Sequence, residues 1–481
     1  MRTLTLPDRY FWMRAALIIA VVLAAPVAGY IAVTERVDPV FVIGGLVGVL
    51  LLLLWQRRAS RVANSHLYET GILAVMLAGG LISFFTLPTG RESRIVISLV
   101  ITLGLIVHWL LASLWHERKV TLRPSPINRP LLLFVTVSVI AYLWSYVFRD
   151  PNMFVWSSFP FVQLAAMLVN ITLPLLLLFV ANKIDDVVWL KRMAAIMVGL
   201  GALSIVLYFT ATPVHDWFMY RGTRGLFGMW AGVLALALAF FHRSLPKWVR
   251  LLLLGLAFAL VYRYFFLGRT WVTGWLPLGV GLLIVLFARS KRLFLVVAVA
   301  GAIYIGLNFD FYYNNIVVSE EEEGSGSGRV ELWVRNLSHV VNHPLFGMGP
   351  AGYAIYNMTY HPTDARSTHN NYFDLLAQTG IIGAAMYLWL FGVLIVLAQR
   401  TRRAMRGRGD FLEAFSVATM AGSISVMIGM MLGDWMLPFA YNQTISGFDN
   451  AAFSWILLGA MVALYHLNQD GRVPAALAEK G

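Results

Sequence analysis

Read from its N-terminus, the chain alternates long apolar runs with short polar connections. Runs of about 18–23 apolar residues recur from end to end, long enough as helices to cross ~30 Å of hydrocarbon. They predict spans near 14–33, 40–55, 67–87, 93–115, 130–148, 160–181, 192–210, 225–242, 250–267, 272–288, 293–309, 380–398, 412–433 and 449–466. A closed β-barrel would show short alternating segments instead. The expected class is therefore an all-α polytopic membrane protein with about 14 transmembrane helices, within a range of about 12–14.

One long polar interval breaks the rhythm, from Arg329 to Gly380, and it predicts a long extracytoplasmic loop of short helices. Val330, Trp333, Val334, Leu337 and Val341 fall at helical spacing opposite Glu331, Arg335 and Ser338, which predicts an amphipathic helix lying at the membrane surface. Pro344, Gly347, Gly349, Pro350 and Gly352 then force turns. After them Ser367 or Thr368 can cap a short helix carrying His369, Asn370 and Asn371, which Gly380 separates from the next span. The acidic and Gly/Ser-rich piece at 320–328 predicts a mobile tip. Four regions follow: 1–210, an N-terminal transmembrane bundle; 211–309, central helices with Arg-bearing external loops; 310–380, the extracytoplasmic loop; and 381–481, C-terminal helices with a cytoplasmic tail. No internal repeat is visible.

Composition narrows the class further. With 59% hydrophobic and 13% charged residues, 481 residues cannot form a water-soluble domain. The first apolar run lacks a small-residue cleavage signal and reads as a retained span. Without cysteine there is no disulfide, thiol nucleophile or thiolate metal site. The net charge of +13 does not point to nucleic acid, because the basic residues sit in connections between spans. With the N-terminus inside, alternate connections and both tails hold 26 of the 37 Lys and Arg residues, and every lysine. That excess assigns both termini to the cytoplasm and the 329–380 loop to the outside.

Eleven arginines remain on the other side. Arg36, Arg91, Arg94 and Arg149 can pair with Glu35, Glu92, Asp150 or lipid phosphates. Arg221, Arg224, Arg269, Arg329 and Arg366 instead crowd into three connections without local carboxylates for all of them. A guanidinium is permanently charged and its fork of donors fits phosphate, so separate arginines can grip a diphosphate. A histidine held neutral by nearby cations can act as a base. That pairing suits transfer of a group from a diphosphate onto a hydroxyl. His339, His343 and His361 read as surface or packing residues, and the spacing of His361, Asp364 and His369 matches no standard ligand pattern, so no metal site is assigned. Trp217, Tyr220, Trp230, Trp271, Trp275, Trp333, Tyr353, Tyr356 and Tyr372 fall at or near the expected external interface and read mostly as an aromatic belt.

LGRTW at 267–271, GRVELW at 328–333, HPLFGMGPAGY at 343–353 and THNNYFDLLAQTGIIG at 368–383 together resemble the O-antigen ligase and polymerase superfamily. The motif region covers roughly 215–400; Gly268 departs from the Ser or Thr that more often precedes the arginine in that family. The resemblance implies a polytopic glycosyltransferase of the GT-C type in the bacterial plasma membrane. It would act on the outer face, without a metal ion or other cofactor, and with membrane lipids around it. The donor would be a glycan on undecaprenyl diphosphate, the acceptor a sugar hydroxyl on lipid A core (a ligase) or on another lipid-linked glycan (a polymerase). Carried over by motif, Arg269 and Arg329 hold the diphosphate and His369 is the catalytic base. Arg224 and Arg221 are inferred from charge and position as further diphosphate contacts. Asn370, Asn371, Tyr372, Trp333 and Arg366 are expected to contact the acceptor or to shape the site. The competing class is a transporter or flippase of lipid-linked sugars, which would carry ionisable groups at mid-membrane and related halves.

Overall fold

The computed structural model describes residues 66–88, 94–318, 328–362, 367–439 and 445–475. It is an all-α polytopic membrane protein. Among the described residues, nine helices are long and apolar enough to cross a membrane. A tenth is added if Lys291–Leu307 and Phe309–Ile316, bent by 74°, form one span. Hydrocarbon offers backbone N–H and C=O groups no partner, so runs of this kind satisfy their backbone internally as helices. The expected spans at 14–33 and 40–55, like Arg36, Arg91 and Arg366 and nearly all of the acidic tip, lie outside the described residues.

Helix α1 (Leu67–Leu81) ends earlier than the expected span, and a ribbon of β1 (Thr86–Pro88) and β2 (Arg94–Val96) follows in antiparallel register, Leu87 opposite Ile95. Pro88 biases Leu87 to the extended backbone of the ribbon. Next come α2 (Ile97–Ala112), α3 (Asn128–Val147), α4 (Phe159–Lys183), α5 (Val187–Thr210) and the short α6 (Thr212–Phe218). Then α7 (Phe227–Phe241), α8 (Lys247–Val261) with a π-helical extension at Tyr262–Leu267, α9 (Val272–Arg289), α10 (Lys291–Leu307) and α11 (Phe309–Tyr312) complete the first part. After the acidic tip follow α12 (Arg329–Asn342), α13 (Tyr353–Tyr360), α14 (Asn371–Met405), α15 (Phe411–Met431) and α16 (Phe448–Gln469).

Contacts divide the chain into two units, 1–70 with 103–123 and 71–102 with 124–481. In the first, the Tyr68 hydroxyl lies 3.0 Å from His108 Nδ1. In the second, α16 packs along α4, and α15 along α7, α9 and α14. Helices α4, α15 and α16 are the most buried of the long helices, whereas α8 and α10 keep most of their surface outward. At 15 residues α7 is short of the ~20 that span hydrocarbon, and it is enclosed by its neighbours. Trp230 on α7, expected in an interfacial belt, is instead fully buried and donates to Ser454 Oγ at 2.9 Å.

Helix α12 is amphipathic in an unusual sense. Its apolar residues Val330, Val334 and Val341 are exposed, while Leu332, Val340 and the polar Arg335 and Asn336 face the protein. The packing side thus mixes Arg335 and Asn336 with Leu332 and Val340, which leaves an apolar stripe for lipid. Arg335 keeps its charge compensated by Glu331, 2.9 Å away on the next turn.

Candidate active site

The site begins with a break in a helix. Gly380 interrupts α14 with φ 66° and ψ −172°, a conformation open essentially to glycine alone. The break frees backbone groups that a buried helix end must pair elsewhere. The turns between α12 and α13 supply the partners. Ile381 N–H donates to Pro344 O (2.8 Å), Ile382 N–H to Leu345 O (3.4 Å), and Met348 N–H to Ala377 O (2.8 Å). Gly347, with φ 65°, lies so close to Ala377 O that a Cβ there would stand 2.4 Å from it. Gln378 adds a side-chain clamp, its Oε1 accepting from Ala351 N–H at 3.0 Å. The two long motifs of the loop are therefore one interlocked unit.

On that unit rests the turn bearing His369. The histidine backbone is left-handed, φ 50°, which few residues other than glycine adopt. Several contacts hold it there. Ser367 Oγ accepts the His369 N–H at 3.1 Å, and Trp333 Nε1 donates to Thr368 O at 2.9 Å. Asp374 Oδ1 accepts from Thr368 N–H (3.2 Å), lies 2.7 Å from the Thr368 hydroxyl, and accepts from Tyr353 OH. Burial, with Asp374 beside it, pushes the Tyr353 phenol well above its usual range, so it remains a donor. The Tyr353 ring stacks on Phe439, centroids 4.4 Å apart. Tyr353→Phe should lower stability by about 1–3 kcal/mol, the cost of leaving a buried polar group short of its partner; thermal unfolding in detergent measures it.

Two local expectations are corrected. The cap of α14 is Asn370, whose side chain accepts the Tyr372 N–H at 3.0 Å, so His369 sits just before the helix and not in it. Trp333 does not share the exposed apolar stripe; it turns inward and stacks on Phe373 at 5.1 Å. Arg329 precedes Trp333 by one helical turn and opens α12 on that same side.

A buried strap after α15, residues 432–439, joins this turn to the arginine-bearing connections. Asn371 clamps it, accepting from Met436 N–H at 2.9 Å and donating to Leu437 O at 2.8 Å. Trp455 Nε1 donates to Met436 O at 2.8 Å. One residue earlier, Trp435 meets Trp271 edge to face, centroids 6.2 Å apart, and Arg224 lies over the Trp435 ring at 5.8 Å. Trp435 Nε1 is buried without a hydrogen-bond partner. Arg269, two residues before Trp271, is half-buried with its guanidinium over Phe311 at 3.7 Å. Arg224 and Arg221 are exposed, and Arg221 acts electrostatically on the buried Asp449. Arg263 is held within the protein, donating to Ser204 Oγ at 2.9 Å beside His215 Nε2 at 3.2 Å.

Of the residues expected to contact an acceptor, Asn370 and Asn371 spend their polar groups on the chain itself, and the Tyr372 hydroxyl donates to Met427 O at 2.9 Å. They shape the turn. Residues that sequence reasoning passed over carry as much of the geometry: Asp374, Gln378, and Asp434, which is 2% exposed and accepts the Phe439 N–H at 2.8 Å; Tyr353, expected in the interfacial aromatic belt, is instead fully buried. A signal did exist for the two acids. Each is a single carboxylate in an otherwise apolar stretch, a placement rarely kept without a partner.

No curated protein matches the chain. Residues 265–388, the stretch that holds Arg269, Arg329, His369 and the broken helix, match the family described as O-antigen ligase (Wzy_C), the same superfamily that the motifs in that stretch resemble.

Proposed function

We propose that this protein is an inverting glycosyltransferase that moves a glycan from undecaprenyl diphosphate to an acceptor hydroxyl on the outer side of the plasma membrane, as an O-antigen ligase. The observation that carries the reading is His369 itself. A single histidine is held in left-handed backbone by Ser367, Thr368 and Trp333, on the side of α12 from which Arg329 projects. Holding the backbone there at such cost suits a turn that must present a base to one hydroxyl.

In this mechanism His369 takes the acceptor proton as the oxygen attacks the anomeric carbon opposite the diphosphate. The new C–O bond forms, the bond to the bridging phosphate oxygen breaks, and the anomeric configuration inverts. Arg329 and Arg269, with Arg224 and Arg221 further out, stabilise the charge that grows on the leaving diphosphate. Metal-independent action follows from the family resemblance.

Arg329→Lys keeps the charge and loses the planar fork. Transfer should fall about 10- to 100-fold, the equivalent of one or two charge-assisted hydrogen bonds worth about 1.5–3 kcal/mol. Unchanged rate and donor affinity would make the arginine structural. The deciding assay offers purified protein the lipid diphosphate glycan with two acceptors. Product on lipid A core makes it a ligase, and laddering on a second lipid-linked repeat makes it a polymerase. Movement of labelled lipid across vesicles with no new glycosidic bond would make it a flippase.

A further inference from the structure

Where the end of α3 meets α12 and α13 there is an open cavity of about 370 Å³. That is large enough for a small ligand, since sites of this kind run from about 300 to 1,000 Å³. Three elements wall it. Arg149 and Asp150 follow α3, His339, Asn342 and His343 come from the last turn of α12 and just beyond, and Tyr356 and Tyr360 come from α13. The sequence alone marks these histidines as packing residues; the fold gathers them.

We infer that this cavity binds a neutral sugar unit of the donor glycan, away from the reacting bond. The inference rests on the glycan-transfer reading and extends it from the anomeric carbon to the rest of the chain being transferred.

A sugar presents hydroxyls that both donate and accept, around a C–H face that packs on aromatic rings. The lining offers both. Arg149 donates, its guanidinium fixed by Gln163 Oε1 at 3.0 Å, and Asp150 accepts. Tyr356 OH lies 3.0 Å from His343 Nε2, and Tyr360 OH donates to Asp150 Oδ2 at 3.4 Å. Asn342 brings an amide with both capacities. His339 lies near parallel to the Tyr360 ring at 6.1 Å, and its Nε2 is buried with no hydrogen-bond partner.

Charge narrows the ligand. Burial holds His339 and His343 below the usual imidazole range, so both are neutral near pH 7 and each offers one donor and one acceptor. Arg149 and Asp150 balance one another. A phosphate or a sugar acid would need an excess of cation that this lining lacks, whereas a neutral saccharide does not.

Position narrows it again. His339 lies ten residues after Arg329 on one helix, or about 15 Å along its axis. A ligand gripped by Arg329 through its diphosphate would meet the cavity only with sugars further along the glycan. Binding energy collected there selects which glycan is used and leaves the chemical step alone.

Tyr360→Ala and Asn342→Ala test this in the full chain in nanodiscs, because both positions are exposed and neither is placed in the reaction. Two donors are compared, undecaprenyl diphosphate carrying one sugar and the same lipid carrying a complete repeat unit. KM for the repeat-unit donor should rise fivefold or more, about 1 kcal/mol, with kcat and the single-sugar KM unchanged. Tyr360→Phe should restore most of the loss if the ring is what binds. An unchanged KM for the repeat-unit donor would overturn the inference, and so would equal losses on both donors, which would assign the cavity to a lipid headgroup or to structure. Should the wild type transfer neither donor, the transfer reading itself fails. The cavity is then decided by titrating the free repeat-unit oligosaccharide: binding weakened by Tyr360→Ala supports it, and no binding overturns it.

Discussion

Replacing His369 by alanine should lower glycan transfer about 100- to 10,000-fold, the range that a positioned general base supplies, while donor binding and folding persist. The geometry explains the split. The contacts that hold the turn run through backbone and neighbours: Ser367 Oγ to the His369 N–H, Trp333 to Thr368 O, and Asp374 to Thr368. None of them uses the imidazole, so the alanine variant keeps the turn and loses the base. Initial rates with saturating donor, beside a donor-binding titration, separate the two effects. Near-normal turnover in that variant would move the base to another residue.

Gly380→Ala should act in the opposite way, removing folded protein and transfer together. An added Cβ would stand 2.2 Å from Leu345 O and 2.6 Å from Phe346 N, both backbone atoms with no side-chain freedom to give way. The positive φ adds a second penalty. The conformation costs a non-glycine residue about 1–3 kcal/mol, and overpacking of a tight site typically costs about 1–3 kcal/mol more. Against a total stability of about 5–15 kcal/mol, this is enough to deplete the native state. Size-exclusion profiles and thermal midpoints in detergent measure it. A well-folded Gly380→Ala protein with normal activity would show that the break in α14 is dispensable.

These two substitutions lie eleven positions apart in one motif, yet their consequences differ in kind. The motif is read in the sequence as a single signal. In the fold it divides into a turn that presents chemistry and a hinge that makes the turn possible. The same division runs through the neighbouring loop, where Gly347 and Met348 close on Ala377 and Tyr353 reaches Asp374. A resemblance to a family can mark His369, Arg329 and Arg269, but it cannot say that Asp374 holds the turn from beneath.

By itself the sequence determined the membrane class, the helices that coincide with its apolar runs within the described residues, the amphipathic α12 and the separation of α14 at Gly380. All of these follow from local pattern: hydrocarbon forces helices from apolar runs, helical spacing sorts faces, and glycine marks positive φ. Tertiary structure alone decided which face of α12 packs, that Asn370 and not Ser367 or Thr368 caps α14, and that Trp333 turns inward. It also decided that the 432–439 strap ties Arg224 and Trp271 to Asn371, and that His339 and His343 share a cavity with Arg149. These depend on contacts between residues tens to hundreds of positions apart. Their energies arise only when the helices meet, and no periodicity along the chain records them.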